Sequence, residues 1–250
     1  MLFVIVACKD KATTSADKRT HGADQRAAAV KAAEQRLAQF THVLRTIYNS
    51  STSGLPACKR GQTTAAKVLV VERDLIGALV VGKPKIELEG DSSRRKELFG
   101  LDGYLRSLSS PLFWSLVDHE TSRLYDERLT AQHKADLIDQ GARDTELLEL
   151  VKTIDDVNQG ALVVVELTTR TLPTFSQGAG LGTFKPGKVS GRATVFDIAK
   201  ATPICAAPVR AKNSDVRTGS VDDIADDFLR NVKTAIVIAT GVDATAVASK

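Results

Sequence analysis

Val30, Ala33, Leu37, Phe40, Leu44 and Ile47 recur three and four residues apart, with Arg26, Lys31, Glu34, Gln35 and Arg45 on the other faces. That seam predicts an amphipathic helix over about residues 24–48. Such a helix either packs on its own domain or offers its seam to a partner as a short coiled coil. The Ser-, Gly- and Pro-containing stretch 50–56 then breaks the pattern as a loop. Lys67 to Arg73 carries a continuous Val/Leu run that reads as a buried strand. Leu75 to Val81 and Lys85 to Glu89 read as weaker strands, with Gly82 and Pro84 between them as a turn.

From Ser92 to Asn158 the period becomes helical. Leu98, Leu101, Leu105 and Leu108 form one stripe. Phe113, Leu116 and Val117 form another after a break at Pro111, continued by Leu124, Leu129 and Leu137. Leu147, Leu148, Val151 and Ile154 make a further face, ended by Asn158-Gln159-Gly160. Ala161 to Thr168 is the strongest strand signal in the chain. After a glycine-rich loop, Val189 to Ile198 and Pro203 to Ala211 supply two more strands, which predicts an antiparallel meander. A closing helix over about 220–239 buries Val221, Ile224, Phe228, Leu229, Val232, Ala235 and Ile236, with Ser220 as its cap and Asp223 three residues on.

The expected fold is α+β: a mainly antiparallel sheet with an N-terminal amphipathic helix, a central helical block (about 92–158), a strand meander (about 161–211) and a C-terminal helix packed on it. At 250 residues with 43% hydrophobic side chains, residues 25–250 suffice for a single core. No apolar run approaches the ~18 residues of a helical membrane span; the longest late one is Ala235 to Ala239.

The opening of the chain has a different character. Met1 to Cys8 is an apolar run ending in a small residue and a cysteine, and Lys9 to Asp24 is polar and almost empty of large apolar side chains. Ile5-Val6-Ala7-Cys8 resembles the lipobox of bacterial lipoprotein precursors: a branched apolar residue, a tolerant position, a small residue and the lipidated cysteine. The basic stretch that precedes the apolar run in that family is absent here, since Leu2 follows Met1 directly. The resemblance implies removal of residues 1–7 as a signal, a diacylglycerol on Cys8, and residues 8–24 as a flexible tether in the bacterial cell envelope, facing the periplasm or exterior. The other reading of residues 1–8 is a buried N-terminal strand in a cytoplasmic protein.

Charge fits a tether near a membrane. Residues 9–60 hold ten Lys/Arg against four Asp/Glu, while the remainder is slightly acidic within an overall +4. Cations beside an anionic lipid surface contribute roughly 1 kcal/mol each, and a single lipid is a marginal anchor without a second signal. The expected partners are a membrane surface and an envelope protein. Nucleic acid is not expected, because aromatics do not interleave with the basic residues. With Cys8 lipidated, Cys58 and Cys205 are the remaining pair, and a disulfide suits an exported chain; two separate buried thiols are the alternative.

Chemical motifs are sparse. Gly178, Gly180 and Gly182 suggest a phosphate loop, yet a strand follows them where a helix N-terminus is needed. Flanked by Phe175 and Phe184, that loop reads instead as a hairpin tip and a candidate partner surface. Ser115 and His119 lie four apart beside Asp118 and Glu120, so a nucleophile–base pair on one helical face is conceivable. Asp222, Asp223, Asp226 and Asp227 are spaced for a hard cation, but the first turn of a helix favours acids by its dipole alone. His21, His42, His119 and His133 show no zinc-ligand spacing, and no cofactor motif is present. Asn49-Ser50-Ser51 matches a glycosylation sequon, to which a bacterial chain gives little meaning. The leading expectation is a binding or assembly module. The alternatives are an enzyme, possibly a hydrolase, with His119 as general base, and a partner protein using helix 24–48.

Overall fold

The computed structural model describes residues 15–62, 67–81, 108–128, 139–176, 183–214 and 221–242. Its centre is a four-stranded sheet in the order β1-β2-β5-β6, formed by β1 (Val68–Glu72), β2 (Ala161–Thr171), β5 (Lys188–Asp197) and β6 (Thr202–Lys212). β2, β5 and β6 form the expected antiparallel meander. β1 joins β2 in parallel, from Val68 opposite Ala161 to Glu72 opposite Val165, so the helical block is the crossover between them. A small hairpin, β3 (Thr174–Ser176) and β4 (Thr183–Lys185), interrupts the path from β2 to β5.

The first half of β2 is buried on both faces from Ala161 to Val165, which is why that run is apolar without alternation. Beyond Val165 the burial alternates or stops. A bulge between Leu167 and Thr169 sits beside Gly191 on β5. A Cβ on Gly191 would stand 2.1 Å from the Glu166 carbonyl oxygen, so the close approach of these strands requires glycine.

Both sheet edges are covered near this core. On the β1 side, Ser110 N–H donates to the Val70 carbonyl at 2.7 Å, while the Ser110 and Ser109 hydroxyls accept from the Val70 and Glu72 amides. On the β6 side, Ala206 N–H donates to the Pro56 carbonyl at 3.0 Å, and Cys58 is bonded to Cys205. Two hydroxyls and one disulfide thus protect edges that would otherwise template further strands.

The helices are α1 (Ser15–Asn49), α2 (Arg73–Val81), α3 (Pro111–Arg128), α4 (Gln140–Val157) and α5 (Val221–Thr240). α1 begins nine residues before its expected start, so residues 15–23 of the expected tether are helical. Its seam is spent inside the fold, since Ala33, Phe40, Leu44 and Ile47 are buried. Val30 and Leu37 of the same seam are half-buried and line the groove described below. Arg26 pairs with Asp144 and Arg36 with Asp155, so α1 and α4 lie side by side and run the same way.

α2 is a correction: Leu75 to Val81 is helical, not a strand. Leu75, Ile76 and Val80 fall on one buried face, and the Arg45 guanidinium donates to the Val80 carbonyl at the helix end. Pro111 occupies the first position of α3, where its missing N–H costs no helical bond. Asp139 caps α4 by accepting from the Ala142 amide at 3.0 Å, and Asn158 closes it. α5 packs along β5 and β6 through Phe228, Val232 and Ile236. Asn213 fastens its start, accepting from the Gly187 amide and donating to the Ile224 carbonyl.

Candidate functional site

The helices α1, α3 and α4, with the end of α2, enclose an open groove of about 1340 Å³. Leu37, Leu44, Val80, Leu112, Leu116 and Leu150 form its floor, and Glu34, His42, Asp118, His119, Arg123 and Arg143 stand among its polar walls. An apolar floor with a few convergent polar groups is the usual composition of a ligand site.

His119 is half-buried on α3. Its imidazole is held below the ordinary histidine value by burial, with Arg123 and Arg143 acting in the same direction against Glu120 and Glu146. Glu120 is a well-ionised neighbour: Arg123 grips both its oxygens, at 3.0 and 2.5 Å, and holds its carboxyl below the usual range. A neutral imidazole facing a groove is chemically able to accept a proton. The expected Ser115 partner does not complete a dyad. Its hydroxyl donates back to the Pro111 carbonyl at 3.4 Å, as serines within helices do.

The second polar centre is buried. Glu72, the last residue of β1, is 1% exposed and ion-paired with Arg170 of β2, whose guanidinium also lies 3.8 Å from Asp74. Burial lowers the Arg170 pKa. Beside it, Arg73 donates to the Tyr48 carbonyl at 2.8 Å, lies over the Tyr48 ring, and pairs with Glu166. These contacts pin the C-terminal end of α1 to the middle of the sheet. The pairing joins strands distant in sequence, so only the charged residue ending the Val68 to Val71 run hinted at it.

The expected sites are distributed as follows. Cys58 and Cys205 are disulfide-bonded across 147 residues of sequence. Cys8 lies outside the described residues, as do Gly178, Gly180 and Gly182. Phe175 and Phe184 are opposite one another in the β3–β4 hairpin. Asp227 is engaged locally, accepting from the Ser214 amide and hydroxyl, and Asp222 and Asp223 have no described side chains. Among the described residues no group of His, Cys, Asp or Glu is placed to hold a metal ion, and no helix is long and apolar enough to cross a membrane. Part of the basic charge near the N-terminus is used internally, by Arg26 and Arg36 on α4 and Arg45 on α2.

No family model, curated protein or solved structure matches the chain. The site must therefore be read from its own chemistry.

Proposed function

We propose that this chain is a bacterial envelope lipoprotein, anchored through Cys8 and acting as a binding or assembly module on a membrane surface. The observation that carries the reading is the Cys58–Cys205 bond. The chain has three cysteines, and that bond leaves Cys8 alone at the lipidated position of Ile5-Val6-Ala7-Cys8. Disulfides persist in oxidising compartments, which is where a lipid-anchored envelope domain folds. The basic residues Lys9, Lys11, Lys18 and Arg19 supply the second membrane signal that one lipid needs. The test is fractionation of bacteria expressing the chain, with any upstream in-frame codons, beside Cys8→Ser. Membrane association that the substitution abolishes supports the reading; identical soluble distribution of both removes it.

A second reading is favoured by the groove: a hydrolytic enzyme using the neutral His119 as general base toward a substrate on the apolar floor. Turnover of a p-nitrophenyl ester panel that disappears in His119→Gln supports it. Turnover that survives the substitution counts against it.

A further inference from the structure

The outer half of one sheet face carries exposed and half-buried polar side chains among the described residues. Lys188, Ser190 and Arg192 of β5 alternate with the buried Val189 and Ala193, and Pro208, Arg210 and Lys212 of β6 alternate with Val209 and Ala211. The register sets Lys188 opposite Lys212, Ser190 opposite Arg210 and Arg192 opposite Pro208, so all six share one face. α5 covers the other face. Among the described residues the helices reach this face at the Tyr48–Arg73–Glu166 contact, and Lys188, Pro208, Arg210 and Lys212 beyond it are exposed.

Four cations therefore stand on adjacent strands. The side chains of Lys188, Arg192 and Arg210 make no hydrogen bond or ion pair among the described residues. The one carboxylate on the shelf among the described residues, Glu166 opposite Arg192, is already paired with Arg73. Like charges directly opposite on a sheet are destabilising, and the Lys188–Lys212 pair has this arrangement. Thr169 and Thr171 continue the same face with hydroxyls. The shelf thus presents Lys188, Arg192 and Arg210 beside hydroxyl donors, with no acidic partner for these three side chains among the described residues.

We propose that this shelf binds a phosphate-bearing, non-aromatic polymer of the envelope, such as a phosphorylated glycan. Charge complementarity specifies the anion. The described shelf side chains include no aromatic or large apolar anchor, which disfavours a protein interface, whose binding energy concentrates in such residues, and a single-stranded nucleic acid, whose bases stack on them. The shelf adjoins the C-terminal end of α1, and Cys8 precedes the N-terminal end of that 35-residue helix, about 50 Å away. The choice of an envelope polymer rests on the anchored reading; the anion chemistry does not.

The test uses full-length Cys8→Ser protein and linear inorganic polyphosphate as the probe, by fluorescence titration at several salt concentrations. Lys188→Gln/Arg192→Gln/Arg210→Gln is expected to weaken binding at least tenfold and to flatten its salt dependence, with a thermal midpoint that does not fall. Neutralising Lys9, Lys11, Lys18 and Arg19 is expected to change affinity less than threefold. Equal binding by the shelf variant, or loss on neutralising the leader instead, overturns the proposal. Equal affinity for poly-glutamate of matched charge assigns the shelf to acidic proteins, and tighter binding to phosphatidylglycerol vesicles assigns it to a membrane; either overturns the proposal. Failure of lipidation at Cys8 appears in the fractionation experiment, whereas failure of the shelf appears here.

Discussion

Replacing Cys58 and Cys205 by alanine opens a covalent loop whose ends are 147 residues apart. In the chain-entropy account, closing a loop of this length removes about 17 cal/mol/K from the unfolded ensemble, or about 5 kcal/mol at 25 °C. The local contacts favour expression of much of this value in the native state. The Pro56 carbonyl already accepts from Ala206, so the edge segment keeps its place on β6 with or without the bond. Cys205 is fully buried, and alanine avoids leaving a hydroxyl there without a partner. At roughly 2 °C per kcal/mol for a chain of this size, the midpoint should fall by on the order of 10 °C. Trp114, the single tryptophan and 6% exposed, reports the transition by fluorescence in urea. The expected loss is about 3–5 kcal/mol, in the alanine variant and equally in wild type under reductant. A loss below about 1 kcal/mol in both would show that the unfolded chain gains little from release of the loop, and would refute the reasoning.

Three further outcomes follow from particular contacts. Arg170→Met leaves Glu72 buried without its partner and should cost about 3–5 kcal/mol in urea unfolding, while Glu72→Leu/Arg170→Met should recover most of that; equal losses in both variants would contradict a paired role. Gly191→Ala drives a Cβ into the Glu166 carbonyl and should cost about 1–3 kcal/mol, so an unchanged midpoint would mean that the bulge is not held as described. His119 is held below its ordinary 6.5, so its neutral form is favoured on folding; its contribution is full above 6.5 and is lost as pH falls through the lower folded value. The urea midpoint should therefore drop more steeply between about pH 7 and pH 5 in wild type than in His119→Gln, and parallel profiles would refute this.

Elements with long, unambiguous periodicity were legible. The apolar run at Ala161 to Val165 and the face of α5 announced both type and approximate extent, and the α1 seam announced its type and its C-terminal end. The disulfide was legible for a different reason, since a three-cysteine chain with one cysteine assigned elsewhere leaves a single pair. α2 was misread because seven residues from Leu75 to Val81 are too few for period to separate a helix from a strand. The early start of α1 was hidden by a composition that helices tolerate but that buries little. Parallel pairing of β1 with β2 was not legible, because the partners are separated by the whole helical block. The same separation hid the Glu72–Arg170 pair and the groove, whose walls come from four helices. His119 was visible as a residue, while the burial that chiefly lowers its pKa, with Arg123 and Arg143 adding to it, comes from packing that the sequence does not show.

The central claim is that Cys8 carries lipid while Cys58 and Cys205 are bonded to each other. The most direct test is the intact mass of the chain isolated from bacteria after denaturing, non-reducing alkylation of every free thiol. The account predicts a diacylglycerol adduct, loss of residues 1–7 and no alkylated cysteine. Three alkylated cysteines on an unprocessed chain would contradict both the anchor and the bond, and would make the His119 groove in a cytoplasmic setting the feature to pursue.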